Sequence, residues 1–334
     1  MPPPDAKPVI AVLHPEGQPP PGIEALEDRA ELRCASTGQA LQDAIPDAQI
    51  LMITDFRSNA LEQAWPHARK LAWIHATSAG VDRVLIPQVV ASPIPVTNAR
   101  GIFDRAIAEY VLGAMLLFAK DFTGNLRNQQ ERRWRHRETE RLEGKRLLVA
   151  GAGSIGSTIG ALARACGLEV AGLAGRRRPH DPVFGTVHGP EDFHGLLQEA
   201  DFVAVAAPLT DSTHHMFDDA AFAALKPGAR LINVGRGEIV DTQALMRALD
   251  SGRLAGAALD VFEEEPLPGD HPLWSRPDVM ISAHMAGDFI GWERALTEQF
   301  IGNFERWQRG EALFNKVDKR RGYGAVREES HHAR

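Results

Sequence analysis

The sequence predicts an α/β protein made of two doubly wound parallel-sheet domains, and three observations predict it. Short apolar runs alternate with longer stretches of helical period along most of the chain, the pattern of a parallel sheet flanked by helices. At 334 residues the chain is about twice the ~150 residues of a typical single domain. Its composition, 44% hydrophobic and 24% charged, is that of ordinary soluble globular proteins and excludes wholesale disorder, collagen and coiled coil.

The first strands are PVIAVL (8–13), ELRCA (31–35), AQILMI (48–53) and LAWIHA (71–76), with Pro, Gly and Asp punctuating the gaps. They are expected to form a small sheet of their own. Residues 102–118 follow as a long apolar helical stretch with Asp104, Arg105, Glu109 and Tyr110 in its first half, which reads as a spine between domains. The segment 127–146 is the most highly charged. Glu131, Glu138, Glu140 and Glu143 stand among its arginines, so it is a mixed-sign solvated surface and not a phosphate track, and only Trp134 hints at packing.

Alternation then restarts with RLLVA (146–150), LEVAGLA (168–174), DFVAVAA (201–207), ARLINV (229–234), LAGAALDV (254–261) and DVMISA (278–283), six strands for a second doubly wound sheet. Residues 292–310 have a helical period and are expected to return to the first domain. The boundaries that follow are 1–101 with 289–334 for a discontinuous substrate domain, and 102–288 for a nucleotide domain. The polar end, 327–334, is expected to fray, and His331 and His332 read as surface histidines, not metal ligands.

The net charge of −7 argues against nucleic acid as the main partner. No apolar run approaches the ~20 residues of a membrane-spanning helix, and the N-terminus lacks a signal-like pattern, so the expectation is a cytoplasmic protein away from membranes. Cys34 and Cys166 make neither a disulfide framework nor a metal cluster, and read as two buried thiols.

Strand RLLVA runs directly into GAGSIG (151–156) and then a helical segment, the strand, turn and helix order of a dinucleotide site. Gly151 permits the tight turn, Gly153 lets backbone approach a pyrophosphate, and Gly156 allows close helix packing, while the helix N-terminus offers free N–H groups. Ser154 and Ile155 would sit against the pyrophosphate. An NAD-preferring site places Asp or Glu about twenty residues on. Here the chain reads LAGRRRP, with no carboxylate and with Arg176, Arg177 and Arg178 able to grip a 2′-phosphate. NADP(H) is therefore favoured over NAD(H), the alternative being an exposed basic loop that tolerates either cofactor.

In an open parallel sheet, ligands lie beyond the carboxyl ends of the strands. Arg236 follows ARLINV, Glu265 follows LAGAALDV, and His284 follows DVMISA, so all three fall on one edge. Together they suit hydride exchange between a cofactor and a carbonyl. Arg236 can bind a substrate carboxylate and polarise the carbonyl, His284 can supply the proton, and Glu265 can orient the imidazole and favour its protonated form.

These residues resemble the D-isomer-specific 2-hydroxyacid dehydrogenases over nearly the whole chain. NVGRGEIVD (233–241), ALDVFEEEPLP (258–268) and SAH (282–284) are similar to that family's catalytic signatures in order and spacing. The resemblance implies a flavodoxin-like substrate domain, a Rossmann cofactor domain and a homodimer. It also implies Arg236, Glu265 and His284 as the catalytic set, with Asp260 near the nicotinamide carboxamide. Pro208, Thr213, Val234, Gly235, Ala286 and Gly287 would line the cofactor, Ala79 and Gly80 of TSAGVD would offer N–H groups to the substrate carboxylate, and NARG (98–101) would be the crossover into the long helix. The chain departs from the family at HMAGDFIGW, which brings Asp288, Phe289 and Trp292 near the expected substrate mouth.

The expected activity is reduction of a small 2-oxo acid, such as glyoxylate, hydroxypyruvate or pyruvate, by NADPH in an interdomain cleft, with no metal. Two rivals are a formate- or phosphite-type dehydrogenase of the same build and a cofactor-sensing, corepressor-like binding protein.

Overall fold

The computed structural model describes residues 7–17, 19–55 and 59–324. The chain separates into two compact units, one comprising the chain up to Ile102 together with the part from Phe289 onward, the other Phe103–Asp288.

The first unit is built on a parallel sheet of β1 (Val9–Leu13), β2 (Glu31–Ala35), β3 (Ile50–Ile53), β4 (Trp73–Ala76) and β5 (Val96–Asn98), in the order β2-β1-β3-β4-β5. β1, β3 and β4 are buried along their whole length, as strands covered on both faces must be. One face packs against the helix Trp292–Gln308, where Phe300 and Phe304, one turn apart, meet Ile10, Val12, Ile50, Met52 and Trp73. β5 is an addition to the strands read from sequence, because three residues in VTN carry too little periodicity to register. Cys34, expected to be buried, is exposed on edge strand β2, and Cys166 is half-buried; both are free. Only one face of an edge strand's end is covered, which is the physical reason for the correction.

The second unit holds an eight-stranded sheet where six strands were expected. β6 (Arg146–Ala150), β7 (Glu169–Leu173), β10 (Phe202–Val205), β11 (Ala229–Asn233), β12 (Leu254–Leu259) and β13 (Val279–Ile281) pair in parallel. The two additional strands, β8 (Arg178–Asp181) and β9 (Gly185–His188), form an antiparallel hairpin at one edge. The sequence RRRPHDPVFGTVH lacks an apolar alternation, so the hairpin is invisible to periodicity. It is held by Phe184, whose ring lies where side chains at Gly160 and Gly172 would otherwise stand, 2.7 Å from each ideal Cβ position.

The order β13-β12-β11-β10-β6-β7-β9-β8 puts β6 between β7 and β10, so the chain leaves β6 in one direction and later returns on its other side. Such a switch point opens a crevice at the carboxyl ends of the strands. The helix Asp104–Ala119 covers the face around Leu147, Val149, Phe202 and Ile232. A short helix, Phe122–Gln130, follows it, and Trp134 beyond is fully exposed among the described residues. No described helix is long and apolar enough to cross a membrane, and the described residues contain no cluster of three or more metal-ligating side chains. The polar end at 327–334, with His331 and His332, lies outside the described residues.

Candidate active site

The glycines of the turn after β6 play different parts. Gly151 has φ 115°, and an ideal Cβ there would lie 2.4 Å from the Ala206 carbonyl carbon and the Ala207 nitrogen. At Gly156 a Cβ would lie 2.0 Å from the Gly151 carbonyl oxygen, so helix Ser154–Ala165 sits directly on the strand exit. Gly153 caps that helix, and a Cβ there would meet nothing within 4 Å. The turn is therefore tight where it faces the protein and open where an anion approaches the helix N-terminus, which is the fit a dinucleotide pyrophosphate needs. The Ser154 hydroxyl donates to the Asp104 carboxylate, and Ile155 packs partly against the core.

After β7 the three arginines separate. Arg176 and Arg177 are exposed, the latter 3.6 Å from Asp192. Arg178, read from sequence as a third phosphate ligand, turns the other way. Its Nη2 donates to the Ala152 carbonyl of the glycine turn at 2.9 Å and stands 3.5 Å from Asp181. The hairpin starts at Arg178, which is why its side chain is drawn back over the turn.

Further along the edge, Pro208 and Thr213 form one tight loop, in which the Thr213 hydroxyl donates to the Pro208 carbonyl at 2.7 Å. Asn233, the last residue of β11 and almost fully buried, shapes the next turn with both ends of its amide. Its Oδ1 accepts from the Gly235 N–H at 3.1 Å and its Nδ2 donates to the Arg236 carbonyl at 3.0 Å. Val234 is buried beside it.

The structure brings His284 and Glu265 together. Imidazole Nδ1 lies 2.8 Å from Glu265 Oε2, while Oε1 accepts from the Phe262 N–H at 3.0 Å. An ionised carboxylate can only accept, so Nδ1 carries the proton and Nε2 is the atom left to face a substrate. The hydrogen bond to Glu265 raises the His284 pKa above its ordinary value, against burial and the Arg236 charge, which lower it. For Glu265, burial pushes the carboxyl up, but bonds from His284 and the Phe262 amide and the charge of Arg236 more than offset it, and the net direction is down. Arg236 is thus close enough to act on both.

Asp260 has a duty that the sequence did not disclose. It is 2% exposed, and its Oδ1 accepts from Ser282 Oγ at 2.6 Å and the Met285 N–H at 2.9 Å, while Oδ2 accepts from the Ala286 N–H at 2.9 Å. Its carbonyl takes the His284 N–H at 2.7 Å, holding that residue at φ 53°. Gly287 is tucked against the Phe103 ring.

In the first unit, the Ser78 carbonyl accepts from the Ala99 N–H at 2.9 Å, and the Ala79 carbonyl from Asn98 Nδ2 at 2.6 Å. In a trans peptide the N–H points opposite its carbonyl. The N–H groups of Ala79 and Gly80 therefore face away from Ala99 and Asn98. Phe289 and Trp292, with Pro21 and Arg294, line an open recess of about 360 Å³ on the same unit, whereas Asp288 ends the second unit.

Residues 112–286 match the family described as D-isomer specific 2-hydroxyacid dehydrogenase, NAD binding domain. The chain belongs to this family. It is 32% identical to a glyoxylate reductase of Thermofilum pendens, covering 81% of each chain. A family member from Aeromonas salmonicida superposes with a TM-score of 0.80 at 32% identity, over 94% of this chain and 100% of that one. Another, from Xanthobacter autotrophicus Py2 in complex with NADPH and MES, gives 0.81 at 29% identity, over 95% and 100%. The 2-hydroxyacid dehydrogenase is accordingly an oxidoreductase acting on CH–OH groups, which exchanges a hydride between a nicotinamide cofactor and a 2-oxo acid.

Proposed function

We propose that this dehydrogenase is an NADPH-preferring reductase of small 2-oxo acids of the glyoxylate, hydroxypyruvate or pyruvate type, working in the cytoplasm as a homodimer. The observation that carries the assignment of roles is the 2.8 Å His284–Glu265 pair beside Arg236, on the strand edge that also bears the glycine turn. The bound cofactor supplies the hydride. Gly151, Gly153, Ser154, Ile155 and Gly156 would hold its pyrophosphate and Arg176 and Arg177 its 2′-phosphate. Pro208, Thr213, Val234, Gly235, Ala286 and Gly287 would line its path, and Asp260, besides holding the loop, would face the carboxamide. The NADPH bound to the Xanthobacter relative supports the cofactor, as does the lack of a carboxylate directly after β7.

The chain's own residues do the rest. Arg236 binds the substrate carboxylate and draws electron density to the carbonyl oxygen, and in the first unit the N–H groups of Ala79 and Gly80 are candidate donors for a carboxylate. His284 Nε2 gives its proton to that oxygen as hydride reaches carbon, so one 2-oxo acid becomes one 2-hydroxy acid. Glu265 holds the ring and stabilises the imidazolium beforehand. Phe122, Leu126 and Trp134 leave an apolar surface exposed on one helix and the arm after it, which supports a second copy as partner.

The test is NADPH and NADH oxidation across a panel of 2-oxo acids, with formate and phosphite assayed in the oxidative direction. His284→Gln is expected to lower kcat by roughly 10²- to 10⁴-fold while leaving the NADPH dissociation constant unchanged. Near-normal turnover in that variant would remove His284 as proton donor.

A further inference from the structure

We propose that Tyr110 is a positioning residue for His284, acting through Ser282 and Asp260. This rests on the reading of His284 as the proton donor. Tyr110 lies in the helix Asp104–Ala119, and its hydroxyl is 2.6 Å from Ser282 Oγ. Ser282 Oγ in turn is 2.6 Å from Asp260 Oδ1. The direction of the chain follows from chemistry. The Asp260 carboxylate accepts only, so Ser282 spends its single proton on it, and Tyr110 must donate to the Ser282 oxygen. Burial, with the Asp260 charge, raises the Tyr110 hydroxyl above its ordinary pKa despite the bond to Ser282, so it remains a donor.

The same carboxylate ties down Met285 and Ala286, and the carbonyl of Asp260 fixes the His284 N–H, so three backbone hydrogen bonds around the left-handed His284 pass through one residue. Tyr110 and Ser282 anchor that residue's Oδ1 from the far side. Two other contacts show what this helix is attached to. Phe103, just before it, packs on Gly287 at the end of the loop, and Asp104 accepts the Ser154 hydroxyl at the start of the pyrophosphate-side helix. Asp104 and Tyr110 are about 9 Å apart along the axis, so one rigid rod reaches both the cofactor turn and the proton-donor loop. The charged groups acting on His284 are Glu265, Arg236 and Asp260, and the Tyr110 chain touches only the last.

The experiment compares Tyr110→Phe, Ser282→Ala, Ser282→Thr and the Tyr110→Phe/Ser282→Ala double variant with the parent enzyme. Readouts are kcat and KM for glyoxylate, the NADPH dissociation constant by fluorescence, Tm, and the His284 titration by NMR, assigned with His284→Gln. Tyr110→Phe and Ser282→Ala should each lower kcat about three- to tenfold with the NADPH dissociation constant unchanged, and should move the His284 titration down toward its ordinary range. The double variant should be no worse than Ser282→Ala alone, and Ser282→Thr should restore activity. Parent-like kcat in Tyr110→Phe, or losses that multiply in the double variant, would overturn the proposal. If the parent reduces no 2-oxo acid, the functional reading fails by itself. The titration then decides the positioning role, a downward shift supporting it and an unmoved curve ending it.

Discussion

The glycine turn at 151–156 keeps its shape through atoms it lacks, whereas the loop at 282–287 keeps its shape through one carboxylate buried beneath it. Both follow strands of the same sheet and both belong to the nucleotide unit. In the first, an added methyl group would strike backbone, at 2.4 Å for Gly151 and 2.0 Å for Gly156, and no side-chain rearrangement relieves such a clash. In the second, a hydroxyl and two backbone N–H groups converge on Asp260, and the hydroxyl can be removed while the other two stay. A site made by exclusion fails all at once, and a site made by hydrogen bonds fails by degrees.

The sharpest way to break that contrast is Gly151→Ala. A positive φ of 115° compounds the clash, so the variant should lose NADPH affinity by roughly a hundredfold or more, as read by fluorescence titration. Affinity within a few fold of the parent would mean that the turn has slack and the contrast is false.

On the polar side, Glu265→Gln keeps the shape and removes the charge. A kcat loss of about ten- to a hundredfold is expected, below the 10²–10⁴ of a general acid itself, because the imidazole stays in place. The pH dependence has a definite sign. Reduction needs protonated His284, so the rate is present below the His284 pKa and lost as pH rises through it. Glu265 raises that pKa, and its neutral replacement lets it fall back toward the ordinary value. The fall in reductive kcat/KM should therefore move to lower pH in Glu265→Gln, and oxidation should gain at lower pH in the same variant. A pH–rate profile in both directions checks it.

The same contrast explains how much of the fold and the site is legible in the sequence. GAGSIG was legible because its determinants are contiguous and glycine is conspicuous, and RLLVA and ELRCA match β6 and β2 at both ends. Arg236, Glu265 and His284 were legible as residues following adjacent strands, a rule about topology. The network under His284 was not. Asp260, Ser282 and Tyr110 are separated by 22 and 172 positions, and nothing in linear order says that a tyrosine on an apolar helix ends beside a serine after the last strand. The signal available was the tyrosine itself, a hydroxyl in the first half of a helix whose burial demands a partner. Asn233 offered a similar clue, a side-chain amide closing a strand that is otherwise apolar. The hairpin at 178–188 escaped because its stability comes from Phe184 over two distant glycines, not from its own pattern.

Arg178 ties the glycine turn by a hydrogen bond to the Ala152 carbonyl, so the arginine loop tests where exclusion gives way to polar shaping. Arg176 and Arg177 are exposed, and on the proposed reading their charge would act on the 2′-phosphate. Reversing it, in Arg176→Asp or Arg177→Asp, should lower the NADPH-over-NADH preference by about tenfold each, equivalent to ~1.4 kcal/mol, with NADH kinetics nearly untouched. Arg177 should show the smaller change, since Asp192 already draws on its charge from 3.6 Å. Arg178→Ala acts on the turn that both cofactors share, so it should weaken NADPH and NADH alike, by only a few fold, and leave their ratio standing. Paired NADPH and NADH dissociation constants for the three variants separate the two kinds of arginine. A changed ratio in Arg178→Ala would return that residue to the phosphate site and leave the turn shaped by its glycines alone.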